Sequence, residues 1–152
     1  MKQKFDKWDT RYMEMAEHIA TWSNCLRPER HVGAVAVYDK RVICMAYNGA
    51  PVGVKSCKER GGCMRQKLNI ASGTQSERCY SVHSEQALVC NAAKQGLSLD
   101  GSTVYCTHQP CVVCLKLLIN AGVARVIYKN EYPDEFAREI AAELGFEMVK
   151  IN

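Results

Sequence analysis

The chain has 152 residues, a length that fits one domain and leaves little room for two independently packed halves. Hydrophobic residues make up 47% of it and charged residues 24%, so the composition is globular and excludes a disordered tail or a fibre. The formal net charge of +4 favours an anionic ligand but is too small and too scattered to predict a nucleic-acid surface. We therefore expect one domain over residues 1–152 that binds a small phosphorylated molecule and no nucleic acid.

Charged residues are spread through the N-terminal part of the chain, and no apolar run there could serve as the core of a signal peptide. No uncharged stretch approaches the roughly 18–20 apolar residues of a membrane span. We therefore expect a cytoplasmic protein without a membrane partner. Because disulfides rarely persist in a reducing compartment and nine cysteines is an odd number, the clustered cysteines favour metal ligation, with zinc first.

Apolar periodicity and turn residues predict an alternation of helices and strands. The predicted elements are a helix over about 7–23, a hairpin of strands 32–38 and 41–47, a helix over 83–95, a strand over 103–107, a helix over 111–121, a strand over 123–129, a helix over 134–144 and a strand over 146–151. Asp6 is expected to cap the first helix, and Pro110 suits the first turn of the helix that follows it. This order predicts an α/β fold of three layers, with one sheet between helices.

Residues 48–81 form a long polar stretch, and loops of this length are usually functional or pinned by something. Elsewhere the composition predicts ordinary core positions. The side chains expected in the core are Trp8, Tyr12 and Trp22 on the first helix and the cysteines Cys44, Cys90 and Cys106.

Two short motifs, each at a predicted helix start, predict the chemistry. Residues 83–85 read His-Ser-Glu, and residues 110–114 read Pro-Cys-Val-Val-Cys. Cys111 and Cys114 can point at one metal ion, with His83 as a third ligand, and three protein ligands leave the open position of a catalytic zinc that activates a water. Glu85 lies two residues beyond His83 and can reach that water without ligating the metal.

Two other interpretations of these motifs are weaker. A purely structural zinc needs a fourth protein ligand, which these two motifs do not supply. A thioredoxin-like redox pair would use Cys111 and Cys114 but leaves His83 and Glu85 unexplained.

His-x-Glu followed by Pro-Cys-x-x-Cys is the signature of zinc-dependent nucleobase deaminases. The wider pattern resembles the deoxycytidylate (dCMP) deaminases over nearly the whole chain. The matching segments are Cys25-Leu26-Arg27, Val32-Gly33-Ala34-Val35, Tyr47-Asn48-Gly49-Ala50-Pro51, Val82-His83-Ser84-Glu85-Gln86, Thr107-His108-Gln109-Pro110-Cys111, Ile119-Asn120-Ala121-Gly122 and Tyr132-Pro133-Asp134. The resemblance implies a cytidine-deaminase-like fold with one mixed five-stranded sheet and zinc-dependent hydrolysis of dCMP to dUMP and ammonia, which supplies the dTMP pathway. It also implies a homo-oligomer, commonly a hexamer regulated by dCTP and dTTP.

The resemblance also implies substrate contacts. Asn48 corresponds to an asparagine that binds the sugar 3′-hydroxyl, and the backbone N–H of Ser84 corresponds to one that binds the base. Independently, Arg27, Arg30 and His31 precede the first strand and are candidates for charge-assisted bonds to a 5′-phosphate, with solvated surface charge as the alternative. The family motif is His-Ala-Glu-x-Asn-Ala, so Ser84 and Ala87 depart from it, and the loss of a polar side chain at Ala87 puts nucleotide regulation or substrate detail in doubt.

Four further cysteines predict a second, structural zinc. Cys25 follows the first helix, Cys57 and Cys63 lie in the long polar stretch, and Cys79 precedes His83. A closed set of four thiolates would pin a segment that is otherwise too polar to order itself. The alternative is that only some of these cysteines are ligands and the others are free thiols.

Three rival functions remain open at this point. They are a deaminase for another cytosine nucleotide, a polynucleotide deaminase of the same superfamily, and a catalytically weak, zinc-stabilised nucleotide-binding protein. A polynucleotide deaminase needs a basic groove with many aromatic residues, and the modest charge with 8% aromatic residues argues against it. An intact Glu85 argues against an inactive binding protein.

Overall fold

The computed structural model describes residues 4–152, and residues 1–3 of the predicted domain lie outside the described part. The elements in chain order are α1 (Lys7–Ala20), a short 3-10 helix (Pro28–Arg30), β1 (Gly33–Tyr38), β2 (Arg41–Tyr47), α2 (Met64–Lys67), α3 (Ser84–Gln95), β3 (Thr103–His108), α4 (Val112–Asn120), β4 (Arg125–Asn130), α5 (Glu135–Leu144) and β5 (Glu147–Lys150). Among the described residues, no helix is long and apolar enough to cross a membrane.

The five strands form one sheet in the order β2-β1-β3-β4-β5. β1 pairs antiparallel with β2 and β3, whereas β3, β4 and β5 run parallel, so the sheet is mixed. α1 covers one face, and α3, α4 and α5 lie on the other. The three-layer α/β/α fold expected from the sequence is therefore confirmed.

The side chains of β1 point alternately to the two faces of the sheet, so this strand contributes to the core on both sides. Val35 and Val37 contact α1, while Ala34 and Ala36 pack toward α3. Gly33 begins the strand beneath α1, and a Cβ atom there would lie 2.0 Å from the carbonyl oxygen of Ala16. Glycine is therefore required at this position because the helix backbone approaches the strand so closely.

α1 is shorter than predicted. Asp6 caps it as expected, accepting hydrogen bonds from the backbone N–H groups of Trp8 and Asp9. The helix ends at Ala20 because the next residues make tighter turns, with the N–H of Trp22 donating to the carbonyl of Ile19.

Three predicted core positions are wrong. Trp8 and Trp22 are 38% and 57% exposed, whereas Tyr12 is buried as expected. Trp8 shares the face of Tyr12 and stacks on its ring, but it lies in the first turn of α1, and Trp22 lies beyond the end of the helix. Cys90 is exposed on α3, although Cys44 and Cys106 are buried.

The hairpin turn and the start of α4 are fixed by backbone conformation. Asp39 and Lys40 have φ of 47° and 61°, the left-handed pair that a two-residue hairpin turn requires. The sequence predicted Pro110 in the first turn of α4. This prediction is wrong, because Pro110 lies one residue before the N-cap Cys111.

The long segment after β2 leaves the sheet and returns to it. Gly49 and Val82 form an isolated antiparallel bridge, with both of their N–H groups bonded to the carbonyl of the other residue. Within the segment only the single helical turn α2 is regular, among the residues that the structure describes. The bridge therefore returns the chain to the sheet edge immediately before His83.

Candidate active site

The N-termini of α3 and α4 bring three metal-ligand side chains together. His83 is the N-cap of α3, Cys111 is the N-cap of α4, and Cys114 lies three residues further along α4. The Nδ1 atom of His83 is 3.6 Å from Sγ of Cys111 and 3.4 Å from Sγ of Cys114. A tetrahedral zinc with ordinary Zn–S and Zn–N bonds places such ligand atoms about 3.6 Å apart, so these residues fit a zinc ion. In the described part of the chain, no other three His, Cys, Asp or Glu ligand atoms all lie within 4.8 Å of one another.

The two cysteines are electrostatically coupled. The Cys114 thiol donates to Cys111, and together with the His83 contact this lowers the pKa of Cys111 to about 4 against the effect of burial. The same hydrogen bond, together with burial, raises the pKa of Cys114. Both thiols lie at a helix N-terminus, where backbone N–H groups favour negative charge. The pair therefore holds one thiolate readily, and a bound cation would favour loss of the second proton.

Glu85 lies beside this ligand set and is 4% exposed. Burial raises the pKa of its carboxyl group, although the nearby His83 opposes this effect. The Ser84 hydroxyl donates to Oε2 of Glu85 over 3.0 Å. A carboxyl group with a raised pKa at this position is suited to accept and return a proton near neutral pH.

The start of α4 is held by Asp134. Its two carboxylate oxygens accept from the backbone N–H groups of Val112, at 2.8 Å, and Ala137, at 3.0 Å. One side chain therefore caps α5 and ties its start to the residue after Cys111. Gln109 is also buried here and accepts from Nε of Arg138.

One pocket contains Glu85 and many of the residues singled out in the sequence. Arg27, Arg30, Asn48 and Ser84 all line it. Arg27 is paired with Glu29 at 3.0 Å, whereas Arg30 donates to the Ser72 hydroxyl.

The Asn48 side chain connects the end of β2 to the segment that precedes β1. Its Oδ1 accepts from the N–H of Val32 at 2.9 Å, and its Nδ2 donates to the carbonyl of Arg30 at 2.7 Å. One N–H of Nδ2 is not used by these contacts, and Asn48 lines the pocket. The side chain therefore orders the backbone around Arg30 and also borders the ligand space.

The four further cysteines approach one another near the same pocket. Cys57 and Cys63 are buried, Cys25 and Cys79 are partly buried, and all are free. Burial raises the pKa of Cys57, and the charges of the other three thiols raise it further. The four side chains therefore share one neighbourhood, but they are less tightly gathered than the His83 set.

Several pocket residues were not identified as functional from the sequence. They are Arg65, Ser72, Thr74, Ser76, His108 and Tyr132. His108 lies two residues before Pro110 and could have been found by its nearness to the cysteine motif. Burial, with the nearby Arg30, lowers the pKa of His108, so its ring is favoured in the neutral form.

The sheet and the two helix N-termini, with a histidine, a glutamate and a cysteine pair at one pocket, form the arrangement that is typical of zinc-dependent nucleobase deaminases. The chain belongs to the cytidine and deoxycytidylate deaminase family, since the model of that family's zinc-binding region matches residues 6–130. The family expected from the sequence is therefore confirmed.

The chain is similar to named deoxycytidylate deaminases. It is 34% identical over 128 residues to the one from Mycobacterium phage D29, covering 82% of this chain and 95% of the relative. It is also 34% identical over 125 residues to the one from Schizosaccharomyces pombe, covering 82% of this chain but only 38% of that longer relative. The crystal structure of dCMP deaminase from cyanophage S-TIM5 in complex with dCMP and dUMP matches with a TM-score of 0.78 and 32% identity, covering 98% of this chain and 100% of that one.

Proposed function

We propose that the protein is a zinc-dependent deaminase that hydrolyses dCMP to dUMP and ammonia and so supplies the dTMP pathway. The observation that carries this proposal is the buried carboxyl group of Glu85 beside the ligand set of His83, Cys111 and Cys114, in a pocket that is also lined by three arginines. The relatives named deoxycytidylate deaminase and the cyanophage complex with dCMP and dUMP support this substrate.

Glu85 carries the proton transfers of the proposed mechanism. Zinc held by His83, Cys111 and Cys114 would supply a water of lowered pKa at the reacting carbon. Glu85 takes a proton from this water and delivers it to N3 of cytosine as the oxygen adds to C4. It then passes the remaining hydroxyl proton to the departing amino group, so ammonia leaves and the uracil carbonyl forms.

The nucleotide is oriented by residues along the pocket. In this proposal the backbone N–H of Ser84, at the start of α3, binds the base, and the unused N–H of Asn48 binds the sugar hydroxyl; both residues line the pocket. Arg30 and Arg27 supply the positive charge for the 5′-phosphate. Arg30 is the stronger candidate because the paired Arg27 must share its charge with Glu29.

A second zinc bound by Cys25, Cys57, Cys63 and Cys79 is part of the proposal. Burial and then the charges of neighbouring thiols in this set raise the pKa of Cys25 and of Cys57, which supports the site, since four thiolates are stable together only when a cation neutralises them. Binding would draw the four sulfur atoms closer together and pin the long segment beside the pocket.

The proposed protein is a cytoplasmic homo-oligomer, with a hexamer as the favoured form. Exposed apolar side chains support self-association, and four of them lie on α4 and α5. These are Val113, Leu117, Phe136 and Leu144. Regulation by dCTP and dTTP is proposed to be weak, because Ala87 lacks the polar side chain of the family motif.

A substrate panel tests the proposal against its rivals. Purified, zinc-loaded protein is assayed for ammonia release on dCMP, CMP and a cytosine-containing single-stranded oligonucleotide. We expect the highest kcat/KM on dCMP. A preference for CMP indicates a deaminase for another cytosine nucleotide, and a preference for the oligonucleotide indicates a polynucleotide deaminase. No ammonia release from any of the three indicates a nucleotide-binding protein.

A further inference from the structure

Arg65, in α2, makes an unusual set of contacts with the loop that follows it. Its Nη1 donates to the carbonyl of Gln75 at 2.6 Å, and its Nη2 donates to those of Ala71 at 2.9 Å and Thr74 at 2.6 Å. Three carbonyls from five consecutive residues therefore point at one guanidinium group. The loop over residues 71–76 is curled around this side chain.

This loop has few other means of holding its shape. Residues 71–78 are all exposed, so no apolar side chain anchors them in a core. Gly73 and Gln75 have φ of 78° and 44°, and the left-handed conformation is one that glutamine rarely adopts. The hydrogen bonds of Arg65 offset the strain of this left-handed backbone and the conformational entropy that is lost when a polar segment is ordered.

The same loop forms a wall of the pocket. Ser72, Thr74 and Ser76 line it together with Arg65 itself. Arg30 contacts this wall directly, since it donates to the Ser72 hydroxyl, and its guanidinium lies 5.9 Å from the ring centre of Tyr132. The wall therefore offers hydroxyl groups beside a guanidinium, which is chemistry suited to a phosphate.

We propose that Arg65 is a positioning residue that holds residues 71–76 as the wall at the phosphate end of the pocket, and thereby sets the affinity for the nucleotide. This inference rests on the proposed function, because it requires a substrate with a phosphate. Arg65 acts through the loop, since its terminal nitrogen atoms are used by backbone carbonyls. Lysine cannot replace it fully, because one ammonium group does not reproduce the planar fork that reaches three carbonyls.

The test compares Arg65→Gln and Arg65→Lys with the matched control Arg60→Gln. Arg60 is exposed in the same long segment and also donates to a backbone carbonyl, that of Lys55, but lies away from this pocket. Three quantities are measured on zinc-loaded protein. They are the KM and kcat for dCMP, the Kd for dUMP by calorimetry, and hydrogen exchange of the peptide that covers residues 70–78.

For Arg65→Gln we expect the KM for dCMP and the Kd for dUMP to rise about tenfold, while kcat stays within about threefold of the wild-type value. Exchange in residues 70–78 becomes at least about tenfold faster, because the loop opens locally. Arg65→Lys lies between Arg65→Gln and wild type in all three measurements, and Arg60→Gln matches wild type.

Two results would overturn the inference. One is wild-type exchange and wild-type dUMP affinity in Arg65→Gln. The other is faster exchange with unchanged affinity, which would show that the loop is not a wall of the phosphate end. Failure of the proposed function gives a different pattern, in which the wild-type protein neither deaminates dCMP nor binds dUMP.

Discussion

The hydroxyl group of Ser84 donates a 3.0 Å hydrogen bond to Oε2 of Glu85, and both side chains are buried at the start of α3. This bond holds one oxygen of the carboxyl group in a fixed direction. Alanine occupies this position in the motif that the sequence resembles, and an alanine side chain cannot make this contact. Ser84 therefore orients Glu85 as well as presenting its backbone N–H to the pocket.

Substitution Ser84→Ala is expected to lower kcat about three- to tenfold, because one hydrogen bond to a charged group is lost. Burial raises the pKa of Glu85, and the Ser84 bond to the carboxylate opposes this increase. Removal of the bond therefore raises the pKa further. Since the carboxylate is the form that accepts the first proton, activity on the acid side of the pH profile is lost at a higher pH than in wild type.

The measurement is the pH dependence of kcat/KM for dCMP in both proteins. Zinc content is the control, because loss of metal would lower activity at every pH. An acid limb at the wild-type pH would contradict the proposed role of the hydroxyl group.

Substitution Cys111→Ser should remove the metal. Cys111 contacts His83 from the N-cap position of α4, so its replacement by a weaker oxygen ligand leaves an incomplete set. We expect the zinc content to fall by about one ion per chain and the melting temperature to fall, because a ligand that stabilised the native state is lost. Cys90→Ser, at an exposed position on α3, is the matched control and should retain both values. Full zinc occupancy in Cys111→Ser would contradict the assigned ligand set.

Much of the fold and of the candidate metal set follows from local sequence. Asp6, Gly96 and Gly145 cap their helices as their residue types predict. His83 and Cys111 are the first residues of predicted helices, so their placement at two N-termini is also a local feature. That the two termini meet depends on the order of the strands, which the resemblance to a known fold supplied.

The remaining features depend on contacts between distant segments. Asp134 ties α5 to α4, and the role of Arg65 depends on a loop that curls back on it. The spacing of apolar residues along the sequence indicates neither contact. Trp22 was misplaced because the end of α1 is set by tight turns that the apolar pattern does not show. Cys90 was misplaced because a small residue on a helix fits a buried or an exposed face equally well.

The second zinc predicts a specific metal content. Zinc-loaded wild-type protein should contain about two zinc ions per chain. Cys63→Ala should contain about one, because the site formed by His83, Cys111 and Cys114 still binds metal. Burial raises the pKa of Cys25 and Cys57, so these thiols should also resist alkylation in the folded protein. One zinc ion per chain, with Cys57 and Cys79 readily alkylated, would rule out the site.

Ala87 predicts weak regulation. It is partly buried and packs against the core cluster that contains Leu88, so it presents no polar group one turn from the metal ligands. We expect dCTP to change the substrate saturation curve by less than about twofold in the wild-type protein, and Ala87→Asn to alter this response. The melting temperature of Ala87→Asn serves as the control, because an amide placed against the core is expected to lower stability. Strong, sigmoidal activation of the wild-type protein by dCTP would show that the missing asparagine is unimportant for regulation.

The most direct test of zinc-dependent hydrolysis measures the products from dCMP in water enriched in oxygen-18. We expect zinc-loaded wild-type protein to form dUMP and ammonia in equal amounts, with the label in the new carbonyl oxygen. Glu85→Gln should retain zinc but turn over at least about 100-fold more slowly, because the proton carrier is lost while the ligands remain. Absence of dUMP from the wild-type reaction, or turnover by Glu85→Gln at the wild-type rate, would contradict the account.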